Sequence, residues 1–133
     1  MRPTIHETMM ELAKVAAKRG TCLKKQVGCV AVNSNGHVLA ITYNGQAKNQ
    51  PHCTIEAPCE AYMDQTQSCR AIHSEMNMLM RCPDIDDIET IYITEKPCDK
   101  CLLSIQNTSC KSIIYGHSSI MIEISLCDEE QLI

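Results

Sequence analysis

The sequence predicts an α/β domain whose central sheet contains parallel strand pairs. Three features predict it: a helical segment near the N-terminus, two β-rich runs around a turn, and alternating helical and β-rich segments from residue 73 onwards. Strand, helix and strand in succession form a crossover, which joins strands that run in parallel. The chain has 133 residues, of which 44% are hydrophobic. This length suits one compact domain and is too short for two, so we expect residues 1–133 to form a single domain.

The first elements are a helix and a hairpin. Thr4 and Glu7 have the spacing of a capping box, and apolar residues then recur at helical spacing until Gly20, which predicts the end of the helix. Residues 27–32 and 38–43 are β-rich and flank an Asn-Ser-Asn-Gly turn, which is typical of a hairpin.

The rest of the chain alternates between types. Residues 44–70 are a long irregular stretch, and such loops are usually functional or held by a staple. The last stretch, residues 118–133, alternates apolar and polar residues and can be a final strand or an oligomer contact. Between them we expect, in order, a helix over 73–80, a strand over 89–94, a helix over 98–106 and a strand over 111–115.

One motif carries chemistry: His73-Ser74-Glu75, followed by Pro97-Cys98-Asp99-Lys100-Cys101. A histidine and two thiolates can fill three corners of a tetrahedral zinc site and leave the fourth open to water, as catalytic zinc requires. Glu75 can reach that water without binding the metal, and so can carry protons. Both segments begin predicted helices, whose N-terminal partial positive charge favours the thiolate form of cysteine.

The alternatives to a catalytic site are a closed structural zinc knuckle and a redox pair of cysteines, because Cys-x-x-Cys alone is common. Neither has a use for a carboxylate two residues after the histidine, or for a proline before the first thiol. The whole pattern, His-x-Glu followed by Pro-Cys-x-x-Cys, is the signature of zinc nucleobase deaminases. We therefore predict a catalytic zinc.

Composition argues against several other classes of protein. The formal charge is −4 and the chain has neither Phe nor Trp, so we expect no nucleic-acid partner. The N-terminus lacks an apolar signal core and no stretch reaches membrane-spanning length, so we expect no membrane association and a cytoplasmic location. The ten cysteines are then better interpreted as metal ligands and small core residues than as a disulfide framework. The isolated histidines are interpreted as surface or capping residues rather than ligands: His6, His37 and His117.

Six segments point to a particular family by their order and spacing: Arg19-Gly20-Thr21-Cys22, Gln26-Val27-Gly28, Tyr43-Asn44-Gly45, Pro51-His52-Cys53, residues 69–75 and residues 97–101. From residue 2 to about residue 116 the chain resembles the deoxycytidylate (dCMP) deaminases, including phage-encoded members. The resemblance implies a three-layer α/β/α domain of the cytidine-deaminase type with a mixed sheet. It also implies hydrolysis of dCMP to dUMP, which feeds thymidylate synthesis, in a homohexamer activated by dCTP and inhibited by dTTP, each with magnesium. For a phage-encoded member, the location would be the host cytoplasm.

The resemblance also implies roles for residues outside the zinc site. Asn44 resembles the asparagine that holds the nucleoside, although a left-handed turn residue before Gly45 is the alternative. Backbone groups around Ser74 and Pro97-Cys98 are expected to bind the edge of the base. The candidates for the phosphate of the substrate or for an effector are Arg19, Lys24, Lys25, Tyr43, Gly45, Lys48 and Arg70. Four positions depart from the family pattern without removing a ligand: Thr42 replaces glycine, Ser74 replaces alanine, and in Met76-Asn77-Met78 the two methionines replace the Gln and Ala of Gln-Asn-Ala.

Four further cysteines suggest a second, structural zinc: Cys22, Cys53, Cys59 and Cys69. Some phage and bacterial relatives carry a non-catalytic zinc in this region. A closed tetrahedron of four thiolates would tie the end of the first helix to the loop that leads into His73. The alternatives are separate thiols in a reducing cytoplasm, or His52 as one of the ligands.

The expected reaction is attack of zinc-activated water on C4 of cytosine, with Glu75 moving protons from the water to N3 and then to the departing amino group. Two other functions stay open. One is a zinc deaminase that acts on a nucleoside, on guanine or on an RNA adenosine. The other is a non-catalytic module stapled by zinc, against which the intact Glu75 argues.

Overall fold

The structure is a computed structural model that describes residues 1–55 and 71–126. The predicted roles of Cys59, Cys69 and Arg70 therefore fall outside the described residues. In chain order the elements are α1 (Ile5–Ala17), β1 (Gly28–Val32), β2 (Val38–Tyr43), α2 (Ser74–Arg81), a 3-10 turn (Ile85–Asp87), β3 (Thr90–Ile93), α3 (Asp99–Gln106), β4 (Ser112–His117) and β5 (Ile120–Ser125).

The described strands form a mixed sheet in the order β2-β1-β3-β4-β5. Strands β3 and β4, which α3 connects, are parallel, whereas the other neighbouring pairs are antiparallel. The predicted crossover through α3 is thus confirmed as a parallel pair. The strands that α2 connects, β2 and β3, are not hydrogen-bonded to each other, because β1 lies between them in the sheet. Residues 120–125 form a strand, so the expected final strand is confirmed, and the expected oligomer contact of this segment stays a prediction.

Helices cover both faces of the sheet, so the expected three-layer α/β/α architecture is confirmed. Successive residues of β1 and β3 alternate between two clusters of buried side chains, as the two-residue period of a strand requires. One cluster lies under α2 and α3 and includes Cys29, Ala31, Met78, Ile91, Ile93, Ile105 and Ile113. The other lies under α1 and includes Met9, Met10, Ala13, Val30, Val32, Tyr92 and Ile114.

Helix α1 begins at the predicted capping box. The Thr4 hydroxyl accepts the Glu7 N–H at 3.1 Å, and the Glu7 carboxylate accepts the Thr4 N–H at 2.9 Å. These bonds lower the pKa of the Glu7 carboxyl, with the Thr4 N–H making the larger contribution. The regular helix ends at Ala17 rather than at Gly20, because residues 18–20 continue as tight turns whose N–H groups donate three residues back.

A close approach of backbones places α1 on the sheet. A Cβ at Gly28 would collide with the carbonyl oxygen of Ala13 and would lie 2.7 Å from the N of Ala17. Only glycine lets the helix cross the start of β1 this closely. The crossing brings the loop after α1 next to the N-termini of α2 and α3. Within residues 1–55 and 71–126, no helix combines the length and the apolar character needed to cross a membrane.

Candidate active site

His73, Cys98 and Cys101 converge at the N-termini of two helices. His73 is the residue before α2, Cys98 is the residue before α3, and Cys101 lies in the first turn of α3. The ligand atoms of the three side chains all lie within 4.8 Å of one another. The Nδ1 atom of His73 is 3.3 Å from the Sγ of Cys101 and 3.7 Å from the Sγ of Cys98. The sequence motif is therefore a cluster in space.

The local fold explains why these residues meet. His73 and Cys98 have extended ψ angles of 146° and 166° and make no side-chain cap, so their side chains are left available for another ligand. Pro97 is buried and fixes the turn before Cys98. Both helix N-termini direct partial positive charge towards the cluster.

The donor set fits zinc. One imidazole nitrogen and two sulfurs are ligands that zinc favours, and three protein ligands leave a fourth position open. Burial, and then the nearby Glu75 carboxylate, raise the pKa of the Cys101 thiol well above its usual range. A divalent cation reverses this preference by stabilising the thiolate. When bound here, zinc supplies a Lewis acid that activates water near neutral pH.

Glu75 lies on the same wall as the cluster. It is 4% exposed, and the hydroxyl of the fully buried Ser74 donates to its Oε1 at 2.7 Å. Helix α2 thus presents a candidate metal ligand immediately before its start and a carboxylate in its first turn. A buried carboxylate beside an open metal position is the arrangement that proton transfer to and from water needs.

A cavity of about 270 Å³ opens over this group. Its polar wall carries His73, Ser74, Glu75 and Cys98, whereas Val27 and Ala71 provide apolar surface. Its remaining lining residues include three lysines and the amide of an asparagine: Lys24, Lys25, Lys96 and Asn44. Pro97 does not line the cavity, although Lys96 and Cys98 on either side of it do. Sequence reasoning missed Lys96, and its place directly before Pro97 is the signal that could have identified it.

Asn44 is held by the loop that borders the cavity. Its Oδ1 accepts from the Val27 N–H at 2.9 Å, and its Nδ2 donates to the Lys25 carbonyl at 2.7 Å. Its backbone also pairs with Val27 and Thr21. The alternative of a left-handed turn residue is wrong, because among the described non-glycine residues Asn49 has the positive φ angle, of 66°, and Asn44 does not.

The other candidates divide between different surfaces. Arg19, Tyr43 and Gly45 line a second cavity of about 540 Å³, together with Lys18, Thr21, Ile41, Thr42, Gln46, His52, Asn77 and Arg81. Lys24 and Lys25 are absent from this second cavity and line the first. Lys48 lies in an exposed turn and lines neither. The sequence analysis did not identify Lys18 and Arg81 as lining residues. For Arg81, the i, i+4 spacing from Asn77 indicates that the two side chains lie on the same side of α2.

Two of the four cysteines proposed for a second zinc are described. Cys22 and Cys53 are buried and line a common cavity of about 400 Å³. His52, the alternative ligand, faces the second cavity instead. In the part of the chain that the structure describes, the cluster of three potential metal ligands is His73, Cys98 and Cys101.

Comparison with known proteins agrees with this geometry. Residues 3–117 match the sequence model of the family described as "Cytidine and deoxycytidylate deaminase zinc-binding region". The chain belongs to this family. The match to the deaminase zinc-binding region includes both ligand segments and Glu75.

The cytidine and deoxycytidylate deaminase family includes several similar proteins. A deoxycytidylate deaminase of Schizosaccharomyces pombe is 31% identical over 128 residues, which are 89% of this chain and 38% of that protein. The corresponding protein of Saccharomyces cerevisiae is 31% identical over 131 residues, 94% of this chain and 41% of that protein. The chain thus spans less than half the length of these two yeast relatives. The deoxycytidylate deaminase of Mycobacterium phage D29 is 29% identical over 127 residues, 89% of this chain and 98% of that protein.

Solved structures of the same fold include the dCMP deaminase of cyanophage S-TIM5 in complex with dCMP and dUMP. The TM-score is 0.69 and the identity 24%, with 86% of this chain and 82% of that chain covered. The likeness supports the deaminase fold of this family member.

Proposed function

We propose that this protein catalyses the zinc-dependent hydrolysis of dCMP to dUMP and ammonia. The dUMP would supply thymidylate synthesis. The reaction would take place in the cytoplasm, and in the host cytoplasm if a phage encodes the chain. The observation that carries the proposal is the buried Glu75 beside an open set of three zinc ligands, on one wall of a cavity. In this reaction Glu75 takes a proton from the attacking water and delivers it to N3 of cytosine. It then takes a second proton from the new C4 hydroxyl and passes it to the amino group, which leaves as ammonia. The names of the similar yeast and phage proteins support dCMP as the substrate.

The decisive experiment measures ammonia release and the ultraviolet change with dCMP, dCTP, deoxycytidine and CMP. We expect kcat/KM to be highest for dCMP, because a site that pairs with a phosphate leaves its cations unpaired when the phosphate is missing. Equal kcat/KM for dCMP and deoxycytidine would assign the chain to the nucleoside deaminases. No turnover of any of the four would remove the deaminase proposal.

The substrate phosphate would be held by Lys24 and Lys96. Both line the cavity of the candidate active site, and neither makes an ion pair with any described residue. Lys25, in contrast, lies 3.9 Å from the Glu95 carboxylate. Lys24→Gln and Lys96→Gln should each reduce kcat/KM for dCMP while leaving that for deoxycytidine nearly unchanged. Lys14→Gln, on the exposed side of α1, is the matched control. Equal losses on both substrates would argue against a phosphate contact.

A regulatory nucleotide, dCTP or dTTP with magnesium, would bind in the second cavity. Its lining carries four basic side chains and no carboxylate: Lys18, Arg19, His52 and Arg81. Arg19 also lies over the ring of Tyr43, with 5.8 Å between Cζ and the ring centroid. The buried Nε2 of Gln46 has no hydrogen-bond partner among the described residues, so it can donate to an oxygen of a ligand. Positive charge and an unused donor suit a phosphate group.

The test is the rate as a function of dCMP concentration, with dCTP or dTTP and magnesium added. We expect activation by dCTP and inhibition by dTTP, and loss of both responses in Arg81→Gln. Flat curves for the wild type would mean that the enzyme is unregulated. Responses that persist unchanged in Arg81→Gln would place the effector elsewhere.

A structural zinc would involve Cys22 and Cys53, with Cys59 and Cys69 as the further ligands. The support for this site is that Cys22 and Cys53 line one cavity although they are distant in the sequence. Metal analysis should give close to two zinc ions per chain, falling towards one in Cys53→Ser with activity partly retained. One zinc per chain in fully active wild-type protein would exclude this second site.

Self-association into a homohexamer would cover apolar side chains on both outer strands of the described sheet. Val38 and Ile41 on β2 and Ile120 and Ile122 on β5 are each at least 40% exposed. Such edges are usually covered in the assembled protein. Light scattering on the eluted protein should give six times the chain mass, and Ile122→Glu should reduce it. A monomeric wild type at micromolar concentration would contradict the proposal.

A further inference from the structure

Two hydroxyl groups connect strand β2 to the carboxylate of Glu75. The Thr42 Oγ1 donates to the carbonyl oxygen of Ser74 at 2.8 Å, and the Ser74 Oγ donates to the Oε1 of Glu75 at 2.7 Å. All three residues are buried, with exposures of 7%, 0% and 4%. The chain resembles a family that usually has glycine at position 42 and alanine at position 74, and neither of those side chains can donate a hydrogen bond.

The bond from Ser74 makes the two oxygens of Glu75 unequal. A carboxylate that turns freely presents either oxygen, whereas here Oε1 is occupied by a short hydrogen bond to a buried hydroxyl. Hydrogen bonds to an ionised acceptor are short and stronger than those between neutral groups. The bond from Ser74 thus distinguishes Oε1 from Oε2.

The same turn is fixed from a second direction. Asn77, one turn further along α2, donates through Nδ2 to the carbonyl oxygen of Tyr43 at 2.9 Å. Thr42 and Tyr43 therefore hold Ser74 and Asn77 in register, so that the first turn of α2 cannot rotate without breaking bonds to β2. The carboxylate is then oriented by the backbone of α2 as well as by the Ser74 hydroxyl.

We propose that Ser74 is a positioning residue for the reaction, holding Glu75 with Oε2 towards the water and the base, and that Thr42 holds Ser74 in this position. The proposal rests on the function proposed above. Proton transfer depends on the orientation of the Glu75 carboxylate more than substrate binding does. Loss of the Ser74 hydroxyl therefore reduces the rate of the chemical step more than it weakens substrate binding.

The test is the kinetics of zinc-loaded Ser74→Ala on dCMP, with no other nucleotide present. We expect kcat to fall about tenfold, since a bond to a charged group is lost, while KM stays within a factor of about two and the zinc content and melting temperature are retained. A kcat within twofold of wild type, or a raised KM with unchanged kcat, would overturn the proposal.

Equilibrium binding gives a readout that does not depend on turnover. Calorimetry would compare dUMP with a pyrimidine nucleotide analogue that carries a hydroxyl on a tetrahedral C4. Ser74→Ala should weaken binding of the analogue about as much as it lowers kcat/KM and leave dUMP binding nearly unchanged. Equal weakening of both ligands indicates a merely structural role and counts against the proposal.

Two variants of Thr42 test the proposal even if Ser74→Ala does not fold. Thr42→Ser keeps the hydroxyl and Thr42→Val removes it at nearly constant volume. We expect a several-fold lower kcat in Thr42→Val, with Thr42→Ser close to wild type, and indistinguishable variants would overturn the role of Thr42. The activity of the wild type on the cytosine compounds separates the two proposals. If the wild type turns over none of them, both the proposed function and this inference are rejected. If the wild type is active and Ser74→Ala is equally active, this inference alone is rejected.

Discussion

The side-chain amide of Asn44 replaces a backbone partner for Val27: its Oδ1 accepts the Val27 N–H at 2.9 Å while the Val27 carbonyl accepts the Asn44 N–H at 3.1 Å. Together with the bond from Nδ2 to the Lys25 carbonyl, this pairing fixes one wall of the cavity at the candidate active site. The polar groups of Asn44 are thus committed mainly to the shape of the site.

Asn44→Ala should therefore lower the free energy of unfolding and raise KM for dCMP. Two side-chain hydrogen bonds are lost, at about 1 kcal/mol each, and the Val27 N–H loses its acceptor. Urea unfolding and steady-state kinetics measure the two effects. Asn33→Ala is the matched control, because the Asn33 side chain also makes two hydrogen bonds to the backbone, in the hairpin turn away from the cavity. A raised KM with unchanged stability would show instead that the amide contacts the substrate.

Glu75→Gln should keep its fold and zinc but lose at least about a hundredfold in kcat, because general acid–base transfer contributes that much or more. Metal content, melting temperature and kcat are measured on the same preparation. Glu89→Gln, which removes only an exposed pair with Lys111 at 3.8 Å, should keep its activity. If Glu75→Gln turned over dCMP at a rate comparable with wild type, Glu75 would not be the proton carrier.

Removal of zinc should destabilise the protein, since a ligand that binds only the folded state adds to its stability. Dialysis against a chelator should lower the melting temperature, and added zinc should restore it. Cys98→Ser should bind one zinc fewer per chain than wild type. Cys82→Ser, whose thiol lies 3.4 Å from the Asp84 carbonyl and outside the cluster, should retain the full zinc content. Equal zinc in Cys98→Ser and wild type would contradict the ligand set.

Gly28→Ala should be strongly destabilising because the new methyl group would meet the backbone of α1 and not a side chain that can turn away. Overpacking of this kind costs about 1–3 kcal/mol. Gly45→Ala is the control, since the nearest atom to its new Cβ would be the Thr21 Oγ1 at 3.7 Å. Thermal unfolding of the two variants compares them directly, and equal melting temperatures would mean that α1 moves away at little cost.

Stability should also fall in alkaline solution, through Tyr92. Its hydroxyl lies 2.7 Å from the Nδ1 of His6, so the isolated His6 has a partner on β3. Burial, and then the charge of Glu123, raise the pKa of Tyr92 above its usual value of 10.0. Above that pH the unfolded chain loses the proton while the folded chain keeps it, so unfolding becomes easier as pH rises. Melting temperatures between pH 9 and 11 should fall less steeply for Tyr92→Phe than for wild type; parallel curves would exclude Tyr92 as the source.

Local patterns predicted most of the elements and the three residues that cluster as candidate zinc ligands. The capping box at Thr4 and the motif at His73 and Cys98 are read from neighbouring residues, and each kept its predicted place. The division of basic residues between two cavities was not predictable in this way. It depends on how the loop after α1 lies, which is set by the approach of α1 to Gly28 and by the bonds of Asn44. Those contacts join segments that are distant in sequence, so spacing alone does not reveal them.

The two buried clusters of the sheet divide the molecule into regions that can change separately. Neighbouring residues of one strand, such as Ile91 and Tyr92, belong to different clusters, and the α2–α3 cluster is the one next to the zinc ligands. Substitutions that fill space around Met9 and Met10 therefore act on the face of the sheet opposite to α2 and α3. A designer who wants a more heat-resistant protein should begin there, because changes on the opposite face lie on the side of the candidate active site.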